Sequence, residues 1–163
     1  MAGAKKYAIL LLIGLLSACV SPSVQHHDPY KEFMASFSDS TQYAWVEMAE
    51  LSEPILMLSH ETFENGTDGT NAISAILYGT DERGKIVCYG EVRSQGTAYP
   101  LSWSGGTILT AGHHYVRRFV IDGNPLSLYI FSDSQDTDGD DVYQGMLDEF
   151  IQAKPIVFKK INE

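Results

Sequence analysis

"AISAILYGTDERGKIVCYGEVRS", residues 72–94, carries two apolar and aromatic runs on either side of Thr80-Asp81-Glu82-Arg83-Gly84. Runs of this length, bounded by Gly and Asp, read as strands, and a short polar connector closes them into a hairpin. The same texture extends in both directions. Upstream lie "TQYAWVEMAEL" (41–51) and "PILMLSHETF" (54–63), set off from the hairpin by "NGTDGTN" (65–71) with its Asn-Gly and Asp-Gly turn signals. Downstream lie "TAYPLSWS" (97–104), "TILTAG" (107–112), "HYVRRFVI" (114–121) and "LSLYIFS" (126–132). Gly105-Gly106, Ala111-Gly112 and Asp122-Gly123-Asn124-Pro125 punctuate them. Short strands at a spacing of about 8–12 residues predict a mainly β fold, an antiparallel sandwich or small barrel, with an α+β arrangement still open.

Helical periodicity appears only at the flanks. In "PYKEFMASFSDS" (29–40), Tyr30, Phe33, Met34 and Phe37 share one helical face. In "DDVYQGMLDEFIQAK" (140–154), Val142, Met146, Leu147, Phe150 and Ile151 do the same. Acids lie toward the start of that segment and Lys154 near its end, as the helix dipole favours, and Pro155 stops it. "IVFKKI" (156–161) then reads as a final strand. No internal repeat or low-complexity tract is visible.

The chain has 163 residues, including nine Tyr, seven Phe and two Trp, enough aromatic surface for one folded domain. Its formal net charge of −10 opposes binding to nucleic acid and to anionic headgroups.

Four groups of residues invite a chemical reading. "AGHHYVRRF" holds His113, His114, Arg117 and Arg118. Neighbours on a strand point to opposite faces, so a shared site needs a turn after Gly112. With such a turn, a histidine and an arginine could serve a hydrolase acting on an anionic group; an exposed strand start is the simpler expectation. "SDSQDTDGDD" (132–141) places Asp136, Asp138 and Asp140 at alternating positions, which suits the oxygen ligands of Ca²⁺. The EF-hand pattern fails there, since Ser134 and Gly145 occupy its first and twelfth places; a solvated loop capping a helix through Asp140 or Asp141 is the plainer expectation. Tyr43, Trp45, Tyr89, Tyr99 and Trp103 could line a ligand cavity or fill the core, and core is favoured. Cys88, between apolar neighbours, is expected to be a small buried hydrophobe. "LSWSGG" lacks the first glycine of a nucleophile elbow, His60-Glu61 lacks the second histidine of a zinc helix, and no glycine-rich phosphate loop is present, so no cofactor is implied.

The beginning of the chain has a different character. Lys5 and Lys6 precede "YAILLLIGLL" (7–16), an apolar run too short for the ~20 residues of a spanning helix and laid out as a secretory signal. Leu16-Ser17-Ala18-Cys19 resembles the lipobox of bacterial lipoproteins, an aliphatic residue, two small ones and a cysteine. The resemblance implies cleavage after residue 18, lipidation of Cys19, and acyl chains that hold the protein to a membrane without spanning it. Val20-Ser21, where the family's retention signal would be aspartate, implies the periplasmic face of the outer membrane. Residues 19–28, including "VSPSVQHHD" with His26 and His27, then form a short tether, and 29–163 form one domain. Cleavage would remove Lys5 and Lys6, leaving a charge of about −12, and would leave Cys88 without an intramolecular disulfide partner. The expected role is a non-enzymatic binding or assembly factor for an envelope protein or a small apolar ligand. The alternatives are the histidine-based hydrolase and a calcium-dependent binding module.

Overall fold

In the computed structural model, which describes residues 29–66, 69–136 and 141–162, strands dominate between two flanking helices. The chain runs α1 (Pro29–Ala35), β1 (Gln42–Val46), β2 (Ile55–Ser59), β3 (Thr62–Glu64), β4 (Thr70–Ala72), β5 (Ser74–Thr80) and β6 (Ile86–Arg93). It continues through β7 (Ser102–Ser104), β8 (Thr107–Gly112), β9 (Tyr115–Asp122), β10 (Ser127–Gln135), α2 (Asp141–Gln152), β11 (Lys154–Pro155) and β12 (Lys159–Lys160). Two antiparallel five-stranded sheets, ordered β12-β1-β2-β5-β6 and β10-β9-β8-β7-β11, stack face to face, with β3–β4 as a small side hairpin. Of the two expected architectures this is the sandwich, and the described residues form no closed barrel.

Local chemistry sets the hairpins. Asp81 Oδ1 accepts hydrogen bonds from the backbone N–H of Arg83 and of Lys85, both at 2.9 Å, which folds the 81–84 connector between β5 and β6. Gly105 and Gly106 take φ of 55° and 85°, the double positive φ of a two-residue type I′ turn between β7 and β8.

The core lies between the sheets. Ala44, Val46, Ile55, Met57, Ala75, Leu77 and Val92 of the first sheet meet Ile108, Phe119 and Ile121 of the second. Leu109, Ala111 and Val116 point the other way and pack under Met146 and Phe150 of α2. Strand β8 is therefore covered on both faces, which is why "TILTAG" reads as a continuous apolar run. On the outer face of the first sheet, α1 sets Tyr30 edge-on to Trp45 and Phe33 edge-on to Tyr78, with ring centroids 4.8 Å apart in each pair.

The sheets close differently at their two sides. On one side, β6 approaches β10 so tightly that a Cβ on Gly90 would sit 3.0 Å from Leu128 Cβ. A bulge in β6 turns Tyr89 inward, and its ring lies over Gly79. On the other side the end of the chain bridges both sheets, β11 pairing with β7 and β12 with β1.

Several expectations change in detail. "IVFKKI" is not one strand: Ile156 and Phe158 leave the sheets and plug the core, with Ile156 N–H donating to Leu101 O and Phe158 N–H to Thr70 O. "PILMLSHETF" breaks at His60-Glu61 into β2 and β3. In α2, Val142 and Ile151 are exposed, and the buried face is Tyr143, Met146, Leu147 and Phe150, the pattern i, i+3, i+4, i+7. Cys88 is exposed, because its position opposite Tyr78 turns it to the outer face of an edge strand. The acidic stretch is partly strand, since β10 runs on to Gln135.

Candidate functional site

Three turns meet at one end of the sandwich: residues 51–54 between β1 and β2, 80–83 between β5 and β6, and 123–127 between β9 and β10. With Tyr30 of α1 they enclose an open cleft of about 970 Å³. Leu51, Pro54, Leu126 and the Tyr30 ring give it apolar walls, Tyr89 and Cys88 line it from β6, and Glu53, Asp81, Glu82 and Arg83 are its charged groups. Tyr89 Oη donates to Thr80 O at 3.4 Å. Burial, and then the Asp81 carboxylate, push the Tyr89 phenol pKa up, so it stays a neutral donor. Burial likewise raises the Tyr78 phenol, with the neighbouring Cys88 adding to it. Three carboxylates against one guanidinium leave the cleft electronegative. Such a cleft can take an apolar side chain flanked by a cation.

The residues singled out from sequence lie elsewhere. His113 and His114 sit at the β8–β9 turn with ring centroids 6.3 Å apart. Tyr99 Oη lies 3.4 Å from His113 Nδ1, and His114 Nδ1 lies 3.3 Å from Asp136 Oδ2 at an exposed position. The arginines diverge, as strand alternation requires. Arg117 faces the inter-sheet side, stacks over Tyr115 with Cζ 4.6 Å from the ring centroid, and forms an ion pair with Asp133 at 3.1 Å. That contact is Coulombic: the Nε–H of Arg117 is not aligned as a hydrogen bond. Arg118 faces α2 and pairs with Glu149. Each arginine is thus committed to a carboxylate, and the structure does not bring either together with a histidine.

Asp138 and Asp140 of the calcium-like pattern lie outside the described residues, as do Cys19, the lipobox, and His26 and His27. Asp133 and Asp136 are held by Arg117 and His114. Among the described residues no three His, Cys, Asp or Glu side chains gather closely enough to hold a metal ion. Of the five aromatic residues, Tyr89 lines the large cleft and also packs in the core. Trp45 and Trp103 line a second groove of about 310 Å³ with Lys154, Pro155 and Val157. Tyr99 packs against the α2 cluster.

This chain matches no known protein family, no characterised protein and no solved structure. Sequence reasoning missed the cleft because its walls come from three separated turns. One signal was present: Leu51 and Leu126 are large apolar residues inside turn segments, where solvation favours polar ones.

Proposed function

We propose that this chain is an exported lipoprotein, lipidated on Cys19 and held at the periplasmic face of the outer membrane. Its sandwich acts as a non-enzymatic binding factor for another envelope protein. The lipobox-like Leu16-Ser17-Ala18-Cys19 supports the anchoring. The binding role is carried by one observation, the open cleft with apolar walls and acidic groups at the end of the sandwich. Its open shape favours a side chain or short segment of a partner over an enclosed small molecule, since small-ligand sites bury about 70–90% of what they hold. Acidic groups around an apolar floor select a partner segment carrying Lys or Arg beside an apolar residue.

Two measurements test this. Mass spectrometry of the envelope-derived protein should give a chain beginning at an acylated Cys19, and Cys19→Ser should leave the envelope fraction. A photocrosslinking residue at position 126 should give a discrete protein adduct in intact envelopes, and the same residue at position 114, away from the cleft, should not. Equal labelling from both positions, or none from 126, would reject the cleft as the binding site.

A further inference from the structure

We propose that the face formed by Trp45, Lys154, Val157 and Lys159 rests on the anionic headgroups of the bilayer that anchors the chain, fixing the domain's orientation. The proposal rests on the lipid-anchor reading above and adds to it which side of the sandwich faces the lipid.

Composition comes first. Most of the domain repels anionic surfaces, and the arginines of the sheets are already neutralised, Arg93 by Glu61, Arg117 by Asp133 and Arg118 by Glu149. Lys154 and Lys159 differ. Both are exposed at the side where the end of the chain bridges the sheets, and neither has a carboxylate partner among the described residues.

Apolar groups accompany them. Lys154 shares its groove with Trp45, 44% exposed, and Val157, 48% exposed. Lys159 stands opposite Tyr43 in the β1–β12 pairing, and Tyr43 and Trp45 share one face of β1. A half-exposed indole and an exposed aliphatic beside Lys154, with Lys159 on the neighbouring strand and neither lysine paired among the described residues, match the chemistry of a headgroup boundary. There the indole sits at the apolar–polar transition and lysine meets phosphate. Glu47 is the one carboxylic acid in the groove lining.

The attachment point lies on the same side. Helix α1 begins at Pro29, and the next residue, Tyr30, meets Trp45 edge-on. Pro29 follows Cys19 by ten residues, so the chain can place the two no more than ~33 Å apart. A lipid on Cys19 therefore keeps Trp45 close to the membrane whatever the domain's net charge. At physiological salt, repulsion from the acidic surface is screened beyond about 8 Å, so the charges nearest the bilayer decide the orientation. Each lysine at an anionic surface favours the docked orientation by about fivefold.

The test uses the full lipidated chain in phosphatidylethanolamine–phosphatidylglycerol vesicles and in phosphatidylcholine vesicles. Tryptophan emission and its quenching by brominated phospholipid are read in each. The expected result is a blue shift and bromolipid quenching in the anionic vesicles only. Both should fall sharply in Trp45→Phe, where Trp103 alone remains to report, and in the Lys154→Gln/Lys159→Gln double variant, which still floats with the vesicles. A chain that floats with neither vesicle overturns the anchor, and this orientation with it. A chain that floats but gives the same emission in both overturns the orientation alone. A shift that rises with protein concentration without vesicles would assign the face to a second copy and also overturn the proposal.

Discussion

At the scale of single residues, the β7–β8 turn separates two effects that are often confused. Gly105 has φ of 55° with open space where a Cβ would go, whereas a Cβ on Gly106, φ 85°, would sit 2.6 Å from the backbone N of Ala49. That N–H donates to Gly106 O at 3.0 Å, so the two chains cannot separate without losing the bond. Gly105→Ala should cost about 1–2 kcal/mol, the penalty of a left-handed backbone, and Gly106→Ala clearly more, since a steric clash adds to it. Denaturant midpoints of the two variants check the order. Charge acts at the same scale. Arg93 Nη1 and Nη2 donate to the two Glu61 oxygens at 2.6 and 3.0 Å, and these hydrogen bonds hold the Glu61 carboxyl below its ordinary range. A lowered folded pKa gives stability that is complete above the unfolded value and lost as pH falls through the folded one. The stability gap between the wild type and Glu61→Gln should therefore be largest at neutral pH and close on acidification. Because the pair is exposed, high salt should narrow the gap as well. Thermal melts across pH and salt measure both effects.

At the scale of elements, α2 shows how periodicity is read correctly and the face still misplaced. Val142 and Ile151 extend the apolar stripe in sequence, but they are 66% and 69% exposed because the sheet offers only a narrow strip to the helix. Phe150→Ala should cost about 3–5 kcal/mol, the usual range for emptying a packed aromatic site. Val142→Lys and Ile151→Lys should stay within about 0.5 kcal/mol of the wild type, as surface changes do. Urea denaturation of the three variants decides this, and a large loss in either lysine variant would move the buried face. Strand β10 poses a related question at the sheet edge, where Tyr129, Ile130 and Phe131 are each more than half exposed around a bulge. Phe131→Ser should therefore leave the fold's stability nearly unchanged, read in the same titration.

Across the whole molecule, the bridge at 154–160 carries the long-range organisation. β11 and β12 contribute two residues to each sheet, while Ile156 and Phe158, 6% and 3% exposed, fill the space between the sheets. Asn71, fully buried, donates from Nδ2 to Ile156 O at 2.9 Å and locks the bridge to β4. Phe158→Ala should cost about 3–5 kcal/mol. Removing 155–163 should leave the β1 and β7 edges and the inter-sheet core open, so that the chain aggregates instead of giving a cooperative melt. Scanning calorimetry and light scattering would show it.

The local features were legible in the order of residues. Gly-Gly, Asp-Glu-Arg-Gly and Asp-Gly-Asn-Pro marked turns, the runs between them marked strands, and Tyr30, Phe33 and Met34 marked the face of α1, which ends at Ala35 and leaves Phe37 beyond it. These depend on neighbours in the chain, so they are written where they act. Tertiary packing set which strands share a sheet, that Cys88 faces outward, that "IVFKKI" gives two core residues and a two-residue strand, and that α2 turns Tyr143 rather than Val142 inward. It also decided the cleft, whose walls lie in turns about 30 to 70 residues apart in sequence. Pairings over such distances are chosen by the packing of whole faces, and alternation along one strand cannot say which partner a face will meet.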